Sequence, residues 1–273
     1  MRILFFGDIF GRPGREALAS ALPRLRKAYK PHIIIANVEN IAHGKGITRE
    51  TLEEVRKCGV DVFTSGNHIW AKKEGNELLD DLSIPVIRPA NYSSRLPGRG
   101  VLVFEKEGKR LLVINLLGQV FMREVPDSPF EKIDRILKTY ARRSLPVKLI
   151  DFHGEATSEK KAFGWYVDGR VSAVLGTHTH VPTADLQILP KKTAYISDVG
   201  MVGPHHSIIG ANPDAILAHF LNKTPIRLEV AGGRIVEVNG VFLDIDSKKG
   251  FAAHIEQIRE IVEIDTQVCY SSI

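Results

Sequence analysis

Short runs of Val, Ile, Leu and Phe alternate with stretches of helical period along most of the chain. Residues 2–6, 33–38, 60–64, 147–152 and 171–175 read as strands buried in a sheet. Residues 15–28, 48–58, 129–142 and 213–221 read as helices covering it, with Thr48 as a cap and Gly59 as a stop. Pro23 is expected to kink or interrupt the first helix, and Gly11, Pro13 and Gly14 to form a loop before it. Residues 85–88, 101–105 and 110–117 form a dense group of short strands that predicts a second sheet. Residues 158–165 read as a short helical turn or loop, 194–197 as a strand and 200–210 as a Gly-rich loop. Residues 226–231 and 234–243 are expected to pair as a hairpin through Gly232-Gly233, and 249–262 to form an amphipathic helix before a short tail over 264–273. Strands alternating with helices predict an α/β fold, with two β-sheets packed together and helices outside. The absence of any composition break or repeat predicts one domain over 1–273.

Composition narrows the functional classes. Hydrophobic residues make up 44% of the 273 and charged residues 25%, which suits a globular chain and excludes disorder and fibre. No apolar run is long enough to span a membrane, and the first residues lead directly into a strand, so no membrane association and a cytoplasmic location are expected. Cys58 and Cys269 lack metal-type spacing, which leaves His, Asn and carboxylates as the available ligands. A formal charge of +5 is spread along the chain without aromatic interleaving, so stable nucleic-acid binding is not indicated.

The chemistry gathers where the strands end. Residues 176–180 read Gly-Thr-His-Thr-His, and two histidines at i and i+2 on extended chain project to one side. Asp8, Glu39 with Asn40, Asn67 with His68, and His153 follow four other strands, and ligands of open α/β sheets bind beyond such carboxyl ends. Carboxylate, amide and imidazole without sulfur suit two ions such as iron, manganese or zinc, and suit magnesium poorly. Glu39 is the natural bridge between two ions, since one carboxylate has two oxygens. Two divalent ions against the charges of Asp8 and Glu39 leave a positive site able to hold hydroxide and an anionic substrate together.

Gly66-Asn67-His68 and the Gly-Thr-His-Thr-His string resemble the calcineurin-like metallophosphoesterases. The chain more narrowly resembles their bacterial YmdB-type branch, through Gly7-Asp8, Glu39-Asn40, Ala42-His43-Gly44-Lys45-Gly46, Arg88-Pro89-Ala90-Asn91, Asp151-Phe152-His153 and Glu155-Ala156-Thr157-Ser158-Glu159-Lys160. Phe10 stands where the wider superfamily usually has a His, and Glu39-Asn40 replaces its usual Gly-Asp-x-x-Asp, both features of the branch. The resemblance implies a four-layer αββα sandwich and a di-iron phosphodiesterase of 2′,3′-cyclic nucleotides, with a homo-oligomer as the expected state. It implies one metal ion held by Asp8, Glu39, Asn40 and His180, and a second held by Glu39, Asn67, His153 and His178. His68 would then be the catalytic acid that protonates the leaving ribose oxygen after attack by a metal-bridging hydroxide. Two alternatives stay open: a phosphodiesterase of RNA ends, and a regulatory protein whose metal centre is structural.

The remaining candidates read more plainly. Arg88 and Lys45 can meet phosphate. His43 and the His205-His206 pair lie on Gly-rich loops that can border the site, whereas His32, His219 and His254 read as ordinary surface or core histidines. Trp70 and Trp165 read as packing residues, and Cys58 as a core residue at a helix end.

Overall fold

The apolar runs near the N-terminus become parallel neighbours. In the computed structural model, which describes residues 1–124, 126–223 and 229–264, β1 (Arg2–Ile9) pairs in parallel with β2 (Ile33–Asn37), and β2 with β3 (Val62–Thr64). On its other side β1 meets β10 (Met201–Pro204) in parallel and β11 (Ile235–Ile245) antiparallel, and β12 (Ala252–Glu263) closes the sheet against β11. The first sheet thus runs β12-β11-β10-β1-β2-β3.

The second sheet runs β4 (Val101–Lys106), β5 (Lys109–Leu117), β6 (Lys148–His153), β7 (Ala173–Thr177), β9 (Ala194–Ile196), β8 (Gln187–Ile188), with its central strands parallel. Strand alternation divides the core into layers. Ile3, Phe5, Ile33 and Ile35 point at Val113, Leu149 and Leu175 of the other sheet. Leu4, Phe6, Ile34 and Ala36 point the opposite way, into the core formed with Leu18 and Leu22 of α1 (Gly11–Tyr29), Leu52 and Val55 of α2 (Arg49–Lys57) and Leu78 of α3 (Lys73–Asp80). Ile114 and Ile150 of the second sheet pack on Ile133 of α4 (Pro129–Tyr140) and Phe163 of α5 (Thr157–Tyr166). The helices α1 and α2 cover one outer face and α4 and α5 the other, giving the expected αββα order.

Several local expectations are corrected. Helix α1 already starts at Gly11, with Pro13 in its first turn where a missing N–H costs no helical bond. It runs continuously through Pro23, which lies on its exposed side, so the carbonyl that Pro23 leaves unpaired can meet water. Residues 85–88 supply only a bridge from Val86 to Phe63, and part of the expected 200–210 loop is strand β10. The expected helix over 249–262 is strand β12. Its apolar residues recur at three-residue spacing because the sheet is covered on both faces: Ile258 enters the helix-side core and Ile255 packs on the inter-sheet core. Eleven register pairs between β12 and β11 settle its state. The hairpin is therefore β11 with β12; of the expected 226–231 strand, 226–228 lie outside the described residues and Val230 bridges Ala211, and all but the first residue of the 264–273 tail lies outside them. Trp70 packs edge-on against Tyr92 as expected, but Trp165 is exposed.

Candidate metal centre

The carboxyl ends of β1, β2, β3, β6 and β7 meet at one edge of the sandwich, because both sheets direct their central parallel strands there. Asp8 lies within β1, Glu39 and Asn40 follow β2, Asn67 and His68 follow β3, His153 ends β6, and His178 and His180 follow β7. Asp8, Glu39, Asn40, His153 and His180 are buried, and Asn67, His68 and His178 partly so. Glycine makes the approach possible. A Cβ on Gly66 would lie 2.2 Å from His153 Nε2 and 2.3 Å from Glu39 Oε2, so only glycine lets the β3 turn close over the cluster.

Each of the three histidines has one ring nitrogen committed to an outer acceptor. His153 Nδ1 donates to Thr177 Oγ1 at 2.9 Å, and the Thr177 hydroxyl donates to Asp151 Oδ1 at 2.6 Å. His178 Nε2 lies 3.1 Å from Glu155 Oε2, and His180 Nδ1 donates to the Ile209 carbonyl at 2.8 Å. These partners fix the tautomers and leave His153 Nε2, His178 Nδ1 and His180 Nε2 as lone pairs on the inner side. His153 Nε2 and His178 Nδ1 are 3.0 Å apart, and Glu39 Oε1 is 3.2 Å from His153 Nε2. Three electron-rich atoms this close call for a shared positive charge between them.

The same pattern continues toward His180. Asn40 Nδ2 lies 3.3 Å from both Glu39 Oε1 and His180 Nε2, so an amide NH₂ fills the position between two lone pairs that suits a cation. Asp8 Oδ2 accepts from the His178 backbone N–H at 3.1 Å, while Asp8 Oδ1 and Asn67 Oδ1 are buried without a hydrogen-bond partner among the described residues. A buried carboxylate oxygen and a buried amide oxygen left unpaired are costly unless something positive meets them. On these observations the residues fit metal ions.

Electrostatics follow from this crowding. Burial raises the Asp8 carboxyl, with His180 and His153 pulling against it. Burial also works against a charge on Glu39, but His153 and His68 more than reverse it and hold the carboxyl well below the ordinary range. Burial disfavours the charged form of His153 too, yet Glu39 and Asp8 raise that imidazole to about 9. His178 goes the other way, lowered to about 3 by burial and by the neighbouring His153.

His68 stands at the rim. Its backbone N–H donates to Glu39 Oε2 at 3.0 Å, and its Nδ1 meets Asn40 Oδ1 at 2.9 Å. The ring borders two cavities, one of about 320 Å³ with Lys45, Asn67, Arg123 and Glu124 on its walls, the other of about 410 Å³ and mainly apolar. Lys45 reaches both. Arg88 reaches neither: it is buried and donates to the carbonyls of Pro89, Ser93 and Leu96, so it organises its own loop and is not available to a phosphate. His43 lines a separate cavity with Arg15 and Glu74, and His205 pairs with Glu237 at 3.4 Å, so neither joins the cluster. Residues that the sequence reading missed include Glu155, Thr177 and Asp151, which orient the histidines, and His219, which lines the apolar cavity. Asp151 and Glu155 lie within the motif strings, but nothing local shows that a carboxylate there serves a histidine.

Two six-stranded mixed sheets face to face between helices, with this donor set at the ends of their parallel strands, define the calcineurin-like metallophosphoesterase fold. The chain belongs to the YmdB-like family, whose model, described as YmdB-like protein, matches residues 4–258. A 2′,3′-cyclic-nucleotide 2′-phosphodiesterase of Bacillus subtilis (strain 168) is 48% identical over 258 residues, 94% of this chain and 96% of that protein. Among solved structures, a hypothetical protein of Thermus thermophilus is 41% identical with a TM-score of 0.88, covering 97% of this chain and 100% of that one. A phosphatase of Mycoplasma pneumoniae is 36% identical with a TM-score of 0.89, covering 97% of this chain and 95% of that one.

Proposed function

We propose that this chain is a single-domain, cytoplasmic phosphodiesterase that opens 2′,3′-cyclic nucleotides with two metal ions and works as a homo-oligomer. The observation that carries the reading is the crowding of ligand atoms: His153 Nε2 lies 3.0 Å from His178 Nδ1 and 3.2 Å from Glu39 Oε1, His180 Nε2 lies 3.3 Å from Asn40 Nδ2, and Asp8 Oδ1 and Asn67 Oδ1 are buried without a hydrogen-bond partner among the described residues. Asp8, Glu39, Asn40 and His180 would hold one ion, and Glu39, Asn67, His153 and His178 the other. Iron suits this mixture of imidazole and oxygen donors, as do manganese and zinc. Bound there, the ions supply the positive charge that polarises the phosphoryl oxygens and acidifies the attacking water.

The protein's own groups complete the chemistry. His68 borders both cavities, and its Nδ1 is engaged by the Asn40 amide. In the imidazolium form Nδ1–H donates to the Asn40 oxygen, and Nε2–H is left to hand a proton to the departing ribose oxygen, a poor leaving group without an acid. Lys45, on the wall of both cavities, is placed to pair with phosphate charge. The relative from Bacillus subtilis, matched almost end to end, supports the substrate class.

One preparation each of wild type and Glu39→Gln, assayed for metal content and for turnover of 2′,3′-cyclic AMP and bis-p-nitrophenyl phosphate, tests the reading. Two ions per wild-type chain, with metal and turnover lost together in the variant, is the expected result. Two ions without turnover of either ester would move the centre to a structural or regulatory role.

A further inference from the structure

We infer that the apolar cavity beside the metal cluster is the seat of the substrate's nucleobase, and that Phe220 is the ring on which the base stacks. The inference rests on the phosphodiesterase reading and adds where the nucleoside lies. The cavity, about 410 Å³, shares one wall with the cluster through Glu39, Asn40, His178 and His180. Its other wall is mainly carbon, with His219 the polar exception on helix α6 (Pro213–Asn222): Phe10, Ile208, Ile209 and Ala211, with Ile216 and Phe220 of that helix. A mostly apolar cleft that opens directly onto a few charged groups is the form of a small-molecule site.

Two features show that this wall is built and not incidental. Ile209 has φ 49°, a left-handed conformation that a β-branched side chain rarely adopts. The strained turn directs its carbonyl to His180 Nδ1 at 2.8 Å while its side chain, 51% exposed, lines the cavity. One residue therefore sets the tautomer of a cluster histidine and forms the pocket wall, as expected when strain is held at a functional site. Helix α6 is the second feature. None of its ten residues is buried, and Phe220 is 72% exposed although it faces the cavity. A helix that leaves a Phe uncovered over a charged centre presents a flat apolar surface, which suits a planar base lying on it.

The neighbouring cavity divides the labour. It carries Lys45, Arg123 and Glu124 beside Phe121 and Met122, a half-polar lining that suits phosphate and solvent better than a base. With the cyclic phosphate between Lys45 and His68, a ribose pointing toward α6 carries its base onto Phe220. Because the contact is with a π-face, the site accepts all four bases, and their order of preference follows stacking strength.

The test compares 2′,3′-cyclic AMP with glycerol 1,2-cyclic phosphate, which has the same five-membered diester and no base. Wild type is expected to favour the nucleotide in kcat/KM. Phe220→Ala should raise KM for the nucleotide by about ten- to a hundredfold, the effect of losing one base stack, with kcat little changed. It should leave the glycerol diester unaffected, and Phe220→Trp should restore the nucleotide KM. Wild type with equal kcat/KM on both diesters would overturn the inference and leave the phosphodiesterase reading standing. Equal losses on both in Phe220→Ala, or no loss on either, would also overturn it. So would a selective loss that appears only in Phe121→Ala, on the other cavity. Wild type that opens neither diester would remove the function and the inference with it.

Discussion

Lys160 Nζ donates to Asp198 Oδ2 at 2.8 Å and to the Thr177 carbonyl at 2.9 Å, and both side chains are almost wholly out of water. Asp198 in turn receives the Thr179 backbone N–H at 3.0 Å and its hydroxyl at 2.7 Å. Thr179 separates His178 and His180, both with positive φ, at 103° and 66°. The ion pair thus anchors the centre of a loop whose two histidines hold unfavourable backbone conformations.

Lys160→Met would leave Asp198 buried without its cation, at a cost of ~3–5 kcal/mol. A melting temperature lower by about 10 °C, with metal content reduced, is expected. The double variant Lys160→Met with Asp198→Leu should recover much of the stability but not the metal, since Thr179 then lacks its acceptor. A double variant with full metal occupancy would show that the pair does not position the loop.

The relay from His153 through Thr177 to Asp151 predicts a second outcome. Thr177→Val keeps the shape of the side chain and removes the acceptor of His153 Nδ1–H. Weakening such an outer partner typically lowers metal affinity about 10- to 100-fold. Competition with a chelator gives the affinity directly, and an unchanged value would show that the ring is oriented by packing alone.

For His68 the expected effect is on rate. His68→Ala should lower kcat on 2′,3′-cyclic AMP about 10²- to 10⁴-fold with two ions still bound. Turnover of bis-p-nitrophenyl phosphate, whose leaving group needs no proton, should fall much less. Equal falls on the two esters would assign His68 to metal or substrate placement and not to proton transfer.

The clustered side chains are legible in the sequence because each lies at the end of an apolar run that reads as a strand, so their meeting at one edge follows from parallel topology. The supports are not. Lys160 stands in Ser158-Glu159-Lys160-Lys161, a charged run that reads as a solvated helix face, yet its side chain is 3% exposed and that of Lys161 is 45%. Only the tertiary position of Asp198, 38 residues on, separates the two lysines. Strand β12 misleads for a related reason. Ile255 and Ile258 share a face on a helix but lie on opposite faces of a strand, and which applies depends on whether both faces are covered. Phe220 and His219 look unremarkable because nothing local tells that α6 stands over the cluster.

The cluster demands a positive charge. In the metal-free chain a proton can meet part of that demand, between His153 Nε2 and Glu39 Oε1, 3.2 Å apart. Burial opposes charge on His153, but Glu39 and Asp8 prevail and raise its pKa from 6.5 to about 9. A raised folded-state pKa stabilises the metal-free chain fully below pH 6.5, and that contribution is lost as pH rises through about 9. Metal needs the same lone pair, so binding must expel the proton wherever His153 carries it. Calorimetric titration of metal into chelator-stripped protein, in buffers of different ionisation enthalpy, should therefore show proton release at pH 7 that declines as pH passes about 9. Apparent affinity should climb over the same range and then level off. Glu39→Gln removes the group that holds the proton, so in the metal-free variant the His153 imidazole should titrate back toward 6.5, read by NMR of the histidine rings with no ion bound. A His153 titration unchanged in that variant would mean that the His153–Glu39 pair is not where the cation and the proton exchange.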